Sequence, residues 1–461
     1  MSSISRNRMR HQASVFVMCS GVILSGVSVA GCAADPAEDE EQVAFASTDQ
    51  AIEAVVGDPL PGITADAFAE AKAEFEVVAG IDDGLGPIFN ERGCAICHSL
   101  GASGGAGVQI ERRFGKFNAD GTFNTLANKG GSLRQLFSLG TFTGLNGQTC
   151  TVPLEVEPPE ATVHNIGRLT TPLFGAGLID AIPDSVIAAN ASAQGAAVRG
   201  IVNRVRVLLP NQNEPGALNT TRVGRFGWKA GIANLAQFSA DAYLNEMGIT
   251  SQHCVGGASI LTFASESKPN GVAVPAGCDD RAVPSGVPGV PAETDDVVGS
   301  CAGGLTEIEE DVGLFTTFMT FLAPAPRLPI DPAINLQGGT VFNRIGCAQC
   351  HLLKDYVTPS QPLNGVPGNF TFRPRSDFLL HDIGTGDGIG EDGDSRAKTN
   401  MLRTPPLWGL HLRTKLLHDG TATTIEQAIA RHGGQAAASR SAFNALSTSD
   451  RNAMLAAMKS D

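Results

Sequence analysis

No block of like charge runs through this chain of 461 residues, and its 33 lysines and arginines are outnumbered by 47 aspartates and glutamates, a formal net charge of −14. Nucleic acid and acidic lipid are therefore poor partners, whereas a small positively charged protein remains a suitable one. Long hydrophobic runs are also missing. The most apolar stretch, Val15 to Val29, is too short to span a bilayer as a mature helix. Preceded by Arg6, Arg8 and Arg10 and followed by "VAGC", it reads as an export signal over residues 1–31.

Small residues directly before Cys32 resemble the bacterial lipoprotein signal, which makes Cys32 the expected lipidation site. Residues 32–60 are acidic and poor in large apolar side chains, as suits a flexible tether. The expected location is the periplasm or cell envelope, with membrane contact only through the lipid. Setting aside Cys19 and Cys32, eight of the ten cysteines fall in the body, where export exposes unpaired thiols to oxidation.

Four of those eight lie in a motif that occurs twice. "LGPIFNERGCAICHSL" carries Cys94, Cys97 and His98, and "GGTVFNRIGCAQCHLL" carries Cys347, Cys350 and His351. A redox dithiol needs Cys-x-x-Cys but gives no reason for a histidine directly afterwards, twice. Structural zinc would have to join two pairs about 250 residues apart. Covalent haem accounts for all three residues, because two thiols add to the vinyl groups and the adjoining imidazole takes the iron. Two haem c groups, with proximal ligands His98 and His351, are the expectation.

What fills the second axial position separates electron transfer from catalysis. The candidates are His164, His253, His381, His411, His418 and His432, with Met247, Met319 and Met401 behind them. No histidine occurs between His98 and His164.

The remaining cysteines, Cys150, Cys254, Cys278 and Cys301, form an even set, read as two disulfides with three connectivities open. Three of them fall in or beside a Gly/Pro-rich insertion at about 250–304. Helical patterns cover Ala65 to Ala79, Thr424 to His432, and "EEDVGLFTTFMTFLAPAPRLP", where Val312, Phe315, Phe318, Met319 and Leu322 recur at helical spacing until prolines stop the run. Met319 on that face reads as core. "RGIVNRVRVLL" suggests a strand. The fold expected is mostly α, two cytochrome c-like haem domains with long loops and a small β or loop insertion: 61–327 with the insertion, and 328–461.

Beyond the motifs, the chain resembles the bacterial di-haem oxidoreductases, which are similar to the di-haem cytochrome c peroxidases and to the methylamine-utilisation di-haem enzyme. The resemblance lies in "RLTTPLFGAGLIDAIPDSVI", "RVGRFGWKAGIANLAQFSADAYLNEMGIT", "LLHDIG", "LRTPPLWGL" and "LLHDGTATTIEQAIARHGG" as well as in the first motif. The peroxidases carry a tryptophan in "FWDGR" and a catalytic glutamate in "NPVEM"; "FGWKA" and "LNEM" here offer Trp228 and Glu246, with Gln237 between them. The resemblance implies that Trp228 relays electrons between the haems and that Glu246 handles protons at the N-terminal haem. His432 occupies the place of the peroxidases' distal methionine, which implies a bis-histidine C-terminal haem of lowered potential. His418 would then be a pocket residue.

One departure is the missing histidine after the first motif, which leaves the N-terminal haem open or reached by His164. Arg168, Arg225 and Arg403 are candidates to pair with haem propionates. A calcium ion between the haems is implied by the peroxidases, though no ligand signature stands out. The function expected is reduction of hydrogen peroxide at the N-terminal haem with electrons from the C-terminal haem, supplied by a small electron-transfer protein or a quinol-linked donor. The alternatives are a haem-dependent oxygenase or oxidase acting on a small organic substrate, and a non-enzymatic two-haem electron carrier.

Overall fold

The structure, a computed structural model, describes residues 55–144, 147–256, 258–261, 275, 278, 296–297 and 308–461. The export signal, Cys32, nearly all of the tether, Cys301 and most of the 250–304 insertion lie outside those residues. The described residues belong to one compact unit. No helix among them is long and apolar enough to cross a membrane.

Helix α1 (Ala65–Phe75) is started by Thr64, whose hydroxyl accepts from Ala67 N–H, and it buries Phe68, Ala71 and Phe75 along one face. The first motif follows as a two-residue strand β1 (Ile88–Phe89) and a single helical turn α2 (Cys94–Cys97). A β region then begins that the expectation of a mostly α chain missed. Strand β2 (Ile110–Phe117) pairs antiparallel with β3 (Phe123–Asn124), β4 (Ser132–Arg134) and, beyond β5 (Phe137–Ser138), β6 (Gly140–Thr143) and β7 (Thr149–Val152), with β8 (Val163–Leu169). The fold is thus mixed, 33% helix and 18% strand in small sheets, which corrects the mostly α expectation. Gly115 sits at a register shift in β2, where a Cβ would strike the Phe123 ring at 2.3 Å, so only glycine lets the two strands close.

Helices α3 (Ala176–Asp180) and α4 (Asp184–Ala193) lead through a hairpin of β9 (Arg204–Arg206) and β10 (Thr221–Val223) to α5 (Leu235–Met247). The next strand, β11 (Ser251–Val255), opens a three-stranded sheet. The apolar pattern around residue 315 folds as α6 (Glu310–Phe321), capped by the Glu309 carboxylate, with Val312, Phe315, Phe318 and Met319 buried. Phe75 meets Phe318 at 4.6 Å between ring centroids, and Tyr243 meets Phe315 at 5.3 Å, so α1, α5 and α6 close on one aromatic core. Burial of each such ring contributes about 1.5–3 kcal/mol. This core also takes in Tyr356, Phe372, Phe378 and Trp408, from beyond residue 327.

An extended segment then leads to α7 (Pro332–Arg344), which has Asp331 as its N-cap and a proline in its first turn. After α8 (Arg396–Thr399), α9 (Ile425–Ala430) and α10 (Ala437–Asn444), the last helix, α11 (Thr448–Ser460), packs on α7. A Cβ at Gly338 would lie 2.4 Å from the Ala453 carbonyl oxygen, which is why the two helices approach so closely there. Their interface forms a second core of Val341, Phe342, Ile345, Leu407, Phe443 and Met454.

Cys150 is bonded to Cys278, and Cys254 is also in a disulfide, whose other half falls outside the described residues.

Candidate functional site

The two copies of the motif are alike in sequence but differ in their lead-in. Phe89-Asn90 stands at a strand, whereas Phe342-Asn343 stands on the last turns of α7. Gly86 and Pro87 break the backbone before the first copy, while "PAINLQGGTVFNR" offers helical apolar spacing before the second. From the first cysteine onward the copies converge. His98 N–H donates to the Cys94 carbonyl at 3.0 Å, and His351 N–H to the Cys347 carbonyl at 3.0 Å. Each turn gathers two sulfurs and one imidazole.

Both imidazoles are fixed by a carbonyl from a later segment. His98 Nδ1 lies 3.2 Å from the Gly105 oxygen and His351 Nδ1 lies 3.0 Å from the Arg375 oxygen. An Nδ1–H committed to a carbonyl leaves the Nε2 lone pair for a metal. Burial lowers the pKa of each ring to about 4, so both are neutral, as a ligand must be. Arg375 has a left-handed backbone, φ 51°, and is locked by its buried ion pair with Asp461.

The thiols separate the chemical alternatives. Burial pushes Cys94, Cys97 and Cys347 up to about 12, the opposite of the lowered pKa that a redox dithiol needs. A zinc site shared by the motifs is absent among the described residues. The one group at metal-binding distance there is Cys350, Asp377 and His381, and His381 Nε2 is taken by Asp377 at 2.8 Å.

An apolar cavity with ≈ 1450 Å³ of empty volume opens over the second motif. Cys347, Cys350, His351 and His432 all line it, while Leu407, Leu416, Ile429 and Met454 supply apolar walls. His432 leaves the end of α9, and its Nδ1 lies 2.7 Å from the Ala428 oxygen, so it repeats the arrangement of the motif histidines. Arg403 and Arg413 also line this cavity, and neither has a carboxylate partner among the described residues; burial lowers both to about 10. Arg413 Nε is buried without an acceptor, and so is His418 Nδ1. A buried and a half-buried guanidinium, neither in an ion pair among the described residues, share this cavity with the dithiol and two neutral imidazoles, and that set fits a haem with its propionates.

Of the three arginines weighed for propionates, only Arg403 is placed for it. Arg168 is paired with Asp387 at 2.6 Å, beside Lys229 at 3.2 Å from the same carboxylate. Arg225 is fully buried on the carbonyls of Asp180, Ile182 and Val223 and on Asp184. Arg413 was missed by sequence reasoning, since nothing in "LHLRTK" marks it.

Trp228 lines the same cavity. Its Nε1 donates to the Leu169 carbonyl at 2.8 Å, its own carbonyl accepts from Arg403 N–H at 2.8 Å, and its ring meets His418 edge-on at 6.2 Å. Leu169, Thr170 and Pro172 share that wall, and Thr171 between them faces the His98 ring. The indole therefore lies between the segment that holds His98 and the cavity that holds His351.

Glu246 is near the end of α5, half-buried. Burial first, then the Glu111 carboxylate, raises it to about 8, against Arg113 and Asn90. Its charge reaches both Cys94 and Cys97. Gln237 is elsewhere. It stands nine residues back on α5, about two and a half turns and hence on the opposite face, where its amide oxygen accepts from Leu208 N–H at 2.9 Å. The structure thus brings Glu246, but not Gln237, to the first motif.

Three further histidines are committed to other partners. His164 is largely exposed and lies 2.9 Å from Glu157. His253 is buried with both nitrogens engaged, by Ser251 and by Glu309 N–H. His381 holds Asp377; burial would lower it, but that carboxylate prevails and lifts it to about 10. Met319 and Met247 are core residues. Calcium finds no further ligand cluster among the described residues.

Residues 159–461 match the family described as "Di-haem oxidoreductase, putative peroxidase". The matched span holds Trp228, Glu246, the second motif and His432, and starts beyond the first motif. No curated protein sequence matches significantly. Among solved structures, hydrazine synthase from Kuenenia stuttgartiensis, pressurised with xenon, is similar with a TM-score of 0.36 and 11% identity, over 96% of this chain and 100% of that one. So loose a likeness carries no argument about the site. The family match covers well over half of the chain, which belongs to the di-haem oxidoreductases, a family of enzymes.

Proposed function

We propose that this di-haem oxidoreductase reduces hydrogen peroxide with two unlike centres. One haem would be carried by Cys94 and Cys97 with His98 as ligand, the other by Cys347 and Cys350 between His351 and His432. The observation that carries the reading is the single apolar cavity in which His351, His432 and Trp228 meet a wall shared with the segment facing His98. When bound, haem would supply electron storage at the centre held by His351 and His432, and peroxide reduction at the centre held by His98.

The chain's own residues supply ligands, distance and protons. His351 and His432 keep Nδ1–H on carbonyls and offer two neutral nitrogens. Arg403 and Arg413 would meet the propionates. Trp228, pinned through its ring nitrogen and its carbonyl, bridges the gap with an aromatic ring. Glu246 holds a proton at neutral pH and gives it to the departing hydroxide, within the balance H2O2 + 2 H+ + 2 e− → 2 H2O. The electrons come from a small electron-transfer protein or a quinol-linked donor in the periplasm or cell envelope, which the chain reaches by export and lipid attachment at Cys32. The acidic net charge of −14 favours a basic donor.

Electron paramagnetic resonance before and after peroxide tests the reading, with wild type and Trp228→Phe. The expected result is one bis-imidazole low-spin signal and one high-spin signal, of which peroxide changes the high-spin one first. Trp228→Phe leaves both resting signals intact and slows electron passage between them. Two six-coordinate irons indifferent to peroxide would refute the proposal in favour of an electron carrier. Stable dioxygen binding with cleavage of an organic substrate, and no peroxide turnover, would refute it in favour of an oxygenase.

A further inference from the structure

The first motif folds back on the end of α5 that carries Glu246. Gly86 N–H donates to the Met247 carbonyl at 3.0 Å, and Asn90 and Glu91 N–H both donate to the Glu246 carbonyl, at 2.7 and 3.1 Å. A Cβ at Gly248 (φ 77°) would lie 2.5 Å from the Ile88 oxygen, so the helix end and β1 are as close as backbones allow. The Asn90 side chain has one orientation, because its Oδ1 accepts from Leu136 N–H at 3.0 Å. An amide oxygen so occupied puts Nδ2 on the other side. There it is buried with no acceptor in hydrogen-bond geometry, and the Glu246 carboxyl is the group beside it. A buried donor left unpaired costs about 1–3 kcal/mol, which an ionised neighbour would recover.

We propose that Asn90 is a positioning residue for Glu246, its Nδ2–H donating to the carboxylate whenever that carboxyl has given up its proton. The inference rests on the reading of Glu246 as the proton carrier and adds the group that aims it. Facing the same carboxyl are Glu111 and Arg113 from β2, Asp241 from α5 itself, and the sulfurs of Cys94 and Cys97. Glu111 and Asp241 keep the proton on; Arg113 and Asn90 ease it off. Asn343, the matching residue of the second motif, is exposed on α7, so the device belongs to the first motif alone.

Asn90→Ser removes the amide donor and adds no charge, whereas Asn90→Asp removes the donor and adds a carboxylate whose repulsion alone raises the Glu246 midpoint, so the neutral variant decides. The readout is the Glu246 carbonyl stretch in pH-difference infrared spectra of the haem-loaded protein, assigned by its loss in Glu246→Gln. Its midpoint is expected to rise by about one pH unit or more in Asn90→Asp. A smaller rise is expected in Asn90→Ser, and a rise in Asn90→Asp with none in Asn90→Ser overturns the proposal as charge repulsion alone. An unmoved midpoint overturns the proposal, even if peroxide turnover depends on Glu246. A midpoint that moves in the uncharged Asn90→Ser supports it, even if the wild type proves not to consume peroxide.

Discussion

Replacing Glu246 by Gln is expected to stabilise the protein at alkaline pH while ending its turnover. In the folded chain burial, then Glu111, raises the carboxyl from its ordinary 4.5 to about 8. A folded-state value above the unfolded one means that the group costs nothing below pH 4.5, destabilises increasingly as pH climbs to about 8, and by a constant amount above that. At about 1.4 kcal/mol for each tenfold change in proton affinity, the full difference is about 5 kcal/mol. Partial exposure of the side chain reduces this to about 2–3 kcal/mol. Gln fills nearly the same volume and never ionises. Denaturant unfolding of both proteins should therefore agree at pH 4.5 and diverge at pH 9, with the Gln variant more stable by about 2–3 kcal/mol, or a few degrees in Tm. Equal or lower stability of the variant at pH 9 would refute the reasoning that burial and Glu111 hold the proton in place. The same preparation should have lost peroxide consumption at every pH, since Gln has no proton to give.

Two further outcomes follow from the second centre. His432→Met should raise its reduction potential in a redox titration by roughly 0.1–0.2 V, because thioether ligation favours the reduced iron; an unchanged potential would remove His432 from the ligand set. Asp461→Asn breaks the buried pair with Arg375, whose side chain is 9% exposed, and should cost about 3 kcal/mol in denaturant unfolding. Because the Arg375 carbonyl holds His351 Nδ1 at 3.0 Å, the low-spin resonance of that centre should broaden as well.

Several elements were legible because local chemistry alone decides them. Thr64 and Thr424 cap α1 and α9 with their own side chains, and the apolar spacing around Phe315 has a helical period. The β2 to β8 region was misread, although "FNADGTFN" carries an Asp-Gly turn between aromatic residues, a hairpin signal. Its strands are short and bury few side chains, so alternation is faint. Gln237 was grouped with Glu246 by resemblance to the peroxidases, and the helical period sends the two to opposite faces of α5.

The sequence by itself determined the local geometry of the two motifs. A Cys-x-x-Cys-His segment makes one tight turn whichever element leads into it, so two thiols and an imidazole meet without help from the rest of the chain. The tertiary structure decided what those turns can do. Which imidazole faces His351, which arginines are left without a carboxylate, and which carboxyl is buried beside the first motif all depend on segments far apart in sequence. Desolvation and Coulomb interactions act through space, and only the packed chain sets those distances.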